Sequence, residues 1–251
     1  MLCVIGDLVE DVVVRLPSAP ARGTDTPAVV GRSRGGSAGN VSAAAAAAGA
    51  AVRFVGRVGE DAIGAALVDS LRGEGVDVCV QRAGRTGTIV VLVEPGGERT
   101  MLPDRGAAGE LGPVDPSWLA GVSWLHVPAY SLCTEPIGSS TLGAVQRVRS
   151  SGGQVSIDVS SVAVVAAFGV ARFARLIGAI EPAIVFANAE EAELVAGLDV
   201  PLLVVKDGGR PVRLHRAGAV ATVAVPPVEP LLDTPGAGDA VAGGFLAATL
   251  A

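Results

Sequence analysis

From residue 121 onward, short apolar runs alternate with stretches of helical periodicity, and this alternation leaves the chain few folds to choose from. Ser123–Val127, Val155–Asp158, Ala183–Phe186 and Leu202–Val205 read as strands. Between them Glu135–Ser150, Ala171–Ile180 and Glu190–Ala196 read as helices, with apolar positions three and four apart. Parallel strands need a long crossover, and a helix is the usual one, so repeated strand–helix units build a mostly parallel sheet with helices on its faces. The first half carries the same rhythm. Leu2–Ile5, Val52–Val58 and Val76–Val80 are strands, while Val41–Gly49 and Asp61–Arg72 are helices. Ala219–Val225 is a last strand before a loop and a C-terminal helix. Composition agrees, because 50% of residues are hydrophobic but only 3% aromatic. Such a core must be packed from Ala, Val and Leu, which suits a sheet buried on both faces.

Three extended pieces interrupt the series. They lie near residues 11–15, 26–34 and 86–103, the last with a hairpin tip at Pro95-Gly96-Gly97-Glu98. Together they predict a small antiparallel sheet apart from the main one, of the kind that acts as a lid. No linker or shift in composition divides residues 1–251, so the expectation is one domain with a lid.

Several functions are disfavoured at this level. A net charge of −6 and the lack of a basic stripe argue against a nucleic-acid surface. The longest apolar run, Val41–Val52, is far short of the ~20 residues that span a bilayer. The N-terminus MLCVIGDLVED is acidic where a signal peptide would be basic and then apolar. The expectation is a soluble, cytoplasmic protein with no membrane partner. Cys3, Cys79 and Cys133 are expected as free thiols, and two isolated histidines, His126 and His215, do not make a zinc site.

The chemistry concentrates at predicted strand ends. Asp7, Asp11, Gly35–Asn40, Asp158, Asn188 and the Asp233–Asp239 loop all fall there, and in sheets of this type ligands sit beyond the carboxyl ends of the strands. In DTPGAGD the glycines of Gly236-Ala237-Gly238 lead into a helix. Its first N–H groups have no intrahelical partner, so with the helix dipole they make an anion site. Asp239 on the first turn sets a carboxylate beside that site. The pairing is reasonable if the carboxylate accepts a proton from a hydroxyl that attacks a bound phosphoryl group. The plain alternative is an acidic residue favouring a helix N-terminus. Likewise Asn188-Ala189-Glu190-Glu191 fits an ordinary capping box.

In order along the chain, GGSAGN (Gly35–Asn40), the segment Phe54–Asp77, Thr86–Ala108, NAEE (Asn188–Glu191) and DTPGAGD (Asp233–Asp239) resemble the motifs of the ribokinase-like, or PfkB-type, carbohydrate kinases. The resemblance covers nearly the whole chain and implies a three-layer α/β sandwich with a mostly parallel central sheet and an antiparallel β lid. It further implies transfer of a phosphoryl group from ATP to a hydroxyl of a sugar or nucleoside. Asp239 would be the general base, with Gly236, Ala237 and Gly238 as the anion hole. Asp11, Gly35, Gly36, Asn40 and Arg105 would bind the acceptor. Asn188 and Glu191 would organise Mg²⁺ and phosphates, and Lys206 and Gly208 would begin the nucleotide loop. Thr234 would contribute to a nucleotide site, and Asp233 to a metal site, including a monovalent cation such as K⁺.

Three departures from the family pattern stand out. SIDVSS, at Asp158, lacks an Asn and an Arg seen in some members, and KDGGRP carries Pro211 where glycine is common. The chain also ends at Ala251, so the C-terminal part of the family fold is expected to be absent. That last feature motivates a second reading, a non-catalytic sugar- or nucleotide-binding module. A third has the lid sheet pairing across a homodimer.

Overall fold

The computed structural model describes residues 1–227 and 236–251. The chain opens with β1 (Leu2–Ile5), β2 (Val9–Arg15), β3 (Val29–Gly35), α1 (Ser37–Ala47), β4 (Val52–Val58), α2 (Ala62–Gly73) and β5 (Asp77–Arg82). The hairpin β6 (Thr86–Val93) and β7 (Arg99–Gly106) precedes β8 (Trp124–Pro128), α3 (Ile137–Ser150), β9 (Gln154–Asp158), α4 (Val162–Phe168) and α5 (Val170–Ile180). Then come β10 (Ile184–Asn188), α6 (Ala189–Val195), β11 (Leu203–Asp207), β12 (Arg210–Arg216), β13 (Ala219–Val223) and α7 (Ala237–Leu250).

Nine strands form the main sheet in the order β13-β12-β11-β10-β9-β8-β1-β4-β5. From β11 to β5 every pairing is parallel, and the β12–β13 hairpin adds an antiparallel edge. The alternation of side chains along a strand explains the layers. On β1, Cys3 and Ile5 face a core shared with α3, α4, α5 and α6, whereas Leu2 and Val4 face the core under α1, α2 and α7. Both faces are therefore covered, and all four β1 residues are fully buried.

The smaller sheet has the order β3-β2-β6-β7. Its outer pairings are antiparallel as expected, but the central pairing of β2 with β6 is parallel. Two other elements differ from the sequence reading. α4 begins at Ser161, whose side chain accepts from the Val164 amide; its short run VAVVAAF is rich in β-branched residues and gives little helical signal. The stretch after Lys206 is a tight hairpin into β12, whose Val212 and Leu214 pack on the main core.

Cys3, Cys79 and Cys133 are free thiols. No single helix among the described residues is long and apolar enough to cross a membrane.

α7 lies directly against α1, and Gly243 makes that approach feasible. A Cβ at Gly243 would fall 2.7 Å from the Val41 carbonyl oxygen and 2.8 Å from the Ala44 Cβ. Gly243→Val should therefore push the two helices apart and cost roughly 1–3 kcal/mol or more, as overpacking does. Chemical denaturation would check this; a midpoint equal to that of the parent chain would contradict the close packing.

Candidate active site

The parallel register brings the strand ends to one edge of the main sheet. Pro128 lies beside Asp158, Asp158 beside Phe186, and Asn188 beside Lys206. Gly6-Asp7 leaves β1 at the same edge, since β1 runs parallel to β8. The N-terminus of α7 arrives there too, with Gly236 as its capping residue and Asp239 in its first turn.

Asp239 is held from the opposite end of the chain. The Ser37 hydroxyl donates to Asp239 Oδ1 at 2.7 Å, and Asn40 Nδ2 donates to Oδ2 at 3.0 Å. Both donors sit on the first turn of α1, three residues apart and so on one face of the helix. Gly35 and Gly36 let α1 begin there. Gly36 has φ 94°, and a Cβ on it would fall 2.4 Å from the Asp7 carbonyl oxygen. A Cβ on Gly35 would fall 2.0 Å from Asp11 Oδ1, so only glycine leaves room for that carboxylate. Burial raises the Asp239 pKa above the ordinary carboxylate value, and the bonds from Asn40 and Ser37 oppose the rise.

Asp11, on β2 of the small sheet, faces the same place. An open cavity of about 420 Å³ is lined by Asp11, Ser33, Asn40 and Gly236 among others, a volume in the range of small-molecule sites. Asp11 Oδ1 is buried and has no hydrogen-bond partner. Its pKa is pushed up to about 6, first by burial and then by the Asp239 charge. A buried acceptor atom without a donor is costly, and a ligand hydroxyl would satisfy it.

Arg105, at the end of β7, pairs with Asp7. Its Nε and one terminal nitrogen donate to the two Asp7 oxygens at 2.7 and 2.6 Å, and the other terminal nitrogen donates to Thr134 Oγ1 at 2.6 Å. The Tyr130 hydroxyl donates to the Ser160 carbonyl oxygen at 3.3 Å. Its pKa is raised by burial first, with smaller contributions from the Glu191, Asp239 and Asp7 carboxylates.

On the far side of α7's first turn, Lys206 Nζ donates to Asp158 Oδ2 at 2.5 Å and lies 3.4 Å from the Gly238 carbonyl oxygen. The positive charge thus stands beside the expected anion hole, neutralised by a carboxylate that is 2% exposed. Asn188 and Glu191 form the capping box of α6, each side chain accepting from the other's backbone N–H at 2.8 Å. Glu191 is nonetheless buried, and burial raises its pKa, with Asp158 adding to the rise. Among the described residues no three His, Cys, Asp or Glu side chains converge for direct metal ligation. The donors that are present suit Mg²⁺, which keeps several waters and takes one or two carboxylates together with substrate phosphates. Gly208 lies in the turn before β12, one residue beyond the strand that carries Lys206. Asp233 and Thr234 lie outside the described residues.

The structure therefore gathers Asp11, Asn40, Gly236 and Asp239 around one opening, with Lys206 and Gly238 adjoining it. Of the strand-end residues that carried no individual role in the sequence reading, it gives Ser37 a bond to Asp239, Asp7 a pairing with Arg105 and Asp158 one with Lys206. Ser37 had a signal available, because it is one turn before Asn40 on the same helical face.

Asp11 gives a stability test. Its folded pKa lies above the ordinary aspartate value, so its contribution favours folding below pH 4 and is lost as pH rises through about 6. Asp11→Asn should therefore stabilise the chain at pH 7 by about 1–2 kcal/mol, discounted for partial exposure, and by little at pH 4. Thermal melts at the two pH values would check this, and a destabilised variant at pH 7 would contradict it.

Comparison with known proteins bears on the family and the fold. A fructokinase from Klebsiella pneumoniae is 36% identical over 160 residues, which cover 62% of this chain and 49% of the relative. The match thus spans about half the length of that relative. A fructokinase from Vibrio alginolyticus is 31% identical over 235 residues, or 85% of this chain and 75% of the relative. Among solved structures, adenosine kinase from Sinorhizobium meliloti has a TM-score of 0.87 at 23% identity, covering 99% of this chain and 86% of that one. A putative ribokinase II from E. coli, in complex with ATP and Mg²⁺, has a TM-score of 0.83 at 21% identity, covering 99% of this chain and 85% of that one. At these identities the structural likeness establishes the ribokinase-like fold. The chain matches the family model described as pfkB family carbohydrate kinase over residues 1–251, and it belongs to that family.

Proposed function

We propose that the protein transfers the terminal phosphoryl group of ATP to a hydroxyl of a sugar or nucleoside, within a domain spanning residues 1–251. The observation that carries the proposal is the Asp239 carboxylate, fixed by Ser37 and Asn40 beside the first-turn amides of α7. Family membership and the fructokinase relatives support the reaction class.

In this reading the acceptor lies between the small sheet, acting as a lid, and the carboxyl edge of the main sheet. Asp11 accepts from one acceptor hydroxyl, and Asn40 orients the one that reacts. That hydroxyl displaces one of the two donors from Asp239 and gives up its proton to the carboxylate as its oxygen bonds to the terminal phosphorus of ATP and the bond from that phosphorus to the departing ADP oxygen breaks. The Gly236, Ala237 and Gly238 amides stabilise charge on the transferring group, and Lys206 adds a positive charge nearby. Mg²⁺, when bound, supplies neutralisation of the nucleotide phosphates. Glu191, Asn188 and Asp158 are the residues placed to hold it through water. Asp233 and Thr234 remain part of the proposal for a monovalent cation and the nucleotide. Phosphoryl transfer needs mainly positioning and charge stabilisation, and every group named provides one or the other.

Asp239→Asn should lower turnover roughly 10²–10⁴-fold, the usual contribution of a general base, while nucleotide affinity is kept. A coupled ADP-release assay with a parallel nucleotide titration checks this, and near-normal turnover would remove Asp239 from its role. A carboxylate base works deprotonated, so activity should fall as pH drops through its raised pKa. Ser37→Ala removes a donor that favours the charged form, so its acid limb should move to higher pH than that of the parent. An unchanged pH–rate profile would mean that Ser37 does not tune the base.

A further inference from the structure

The cavity that holds Asp11 extends beyond the Asp239 carboxylate. Its lining runs along α1 from Asn40 to Ala47, seven residues or about 10 Å of helix. Arg34 of β3 and Glu74, the capping residue of α2, line it as well. The Arg34 stem lies against α1 where Gly39 has no side chain, since a Cβ there would fall 3.9 Å from Arg34 Cδ. One terminal nitrogen of the guanidinium donates to Glu74 Oε1. Arg34 Nε is buried and has no partner. Arg105 shows the filled arrangement in the same fold, with its Nε and a terminal nitrogen both donating to one carboxylate.

This one cavity is therefore lined by a residue with an unmatched donor, Arg34 Nε, and a residue with an unmatched acceptor, Asp11 Oδ1. Each is costly when buried alone. The ion pair with Glu74 does not account for Arg34, because the Glu74 side chain is 42% exposed and such pairs add little to stability. A ligand that brings a hydroxyl hydrogen to Asp11 and a lone pair to Arg34 satisfies both.

We infer that Arg34 is an acceptor-binding residue. Its Nε–H donates to an oxygen or nitrogen of the acceptor, on the part of that molecule away from the hydroxyl that Asp239 deprotonates. Glu74 holds the guanidinium and neutralises it, so Arg34 selects by the position of a lone pair rather than by charge. The inference rests on the phosphotransfer reading for which end of the acceptor reacts.

Fructose, ribose and adenosine serve as probes, with binding followed by titration calorimetry and turnover by ADP release. In Arg34→Met the Kd and KM of each acceptor that the parent binds should rise about 10- to 100-fold, the loss of one hydrogen bond from a charged donor. The kcat should fall far less and the KM for ATP should hold, since Arg34 touches neither the reacting atoms nor the nucleotide. Arg34→Lys keeps the charge but lacks Nε, so it should bind as weakly. The denaturation midpoint of Arg34→Met should be no lower than the parent's, because a buried donor without a partner is removed. Monodeoxy or deaza analogues of the acceptor locate the contact. One of them should bind the parent weakly, yet bind Arg34→Met as well as the complete acceptor does. Unchanged acceptor affinity in folded Arg34→Met, parent-like affinity in Arg34→Lys, or an equal loss for ATP would overturn the inference. So would a lowered midpoint with unchanged affinity, or a parent chain that binds none of the three probes. If Arg34→Met does not fold, Arg34→Lys decides. Binding by the parent without turnover would sink the phosphotransfer reading while the affinity comparison still judges Arg34.

Discussion

The site depends on one contact between the two ends of the polypeptide. Ser37 and Asn40 grip the Asp239 carboxylate across 202 and 199 residues of sequence. Neither end makes a site alone. The start of α1 has donors but no base, and the start of α7 has a base and free amides but nothing to aim them. The packing of α1 on α7 brings them together, which is why a small residue at Gly243 matters far from the chemistry. The contact has an energetic cost as well. Burial raises the pKa of both Asp11 and Asp239, the Asp239 charge adds to the rise at Asp11, and the fold is weakened at neutral pH. Such a cost persists where the charged groups serve the ligand rather than stability.

The carboxyl edge of the sheet then divides by charge. On the small-sheet side stand Asp11 and the paired Asp7 and Arg105, with Arg34, bonded to Glu74, lining the same cavity as Asp11. On the β9–β11 side, Lys206 and the α7 amides supply positive potential next to Asp158 and Glu191. A phosphoryl donor and a hydroxyl acceptor thus meet different electrostatic surroundings on either side of the first turn of α7.

Much of this was legible in the sequence, for physical reasons that also mark where legibility ends. The strands of the main sheet are apolar because both faces are buried, so Leu2–Ile5, Val52–Val58 and Ala183–Phe186 announce themselves. The functional residues fall at strand ends because the topology puts ligands there. β12 was missed because only Val212 and Leu214 face the core, and the turn before it looks like a ligand loop. α4 was missed because β-branched residues carry a weak helical signal. The parallel pairing of β2 with β6 could not be read at all, since register between distant strands leaves no local trace. The same holds for Arg105: its type and position were apparent, but its partner Asp7 lies in another element. At Asn188 and Glu191 the capping-box reading is observed in the geometry, and the burial of Glu191 near Asp158 and Lys206 is what the local pattern did not disclose.

The most direct measurement is a crystal structure of the chain with a neutral acceptor and a non-hydrolysable ATP analogue bound together. The account predicts an acceptor hydroxyl within hydrogen-bond reach of the Asp239 carboxylate, with the terminal phosphate against the amides of Gly236–Gly238 and a second hydroxyl donating to Asp11. An acceptor seated away from Asp239, or a nucleotide whose terminal phosphate lies far from the start of α7, would contradict it.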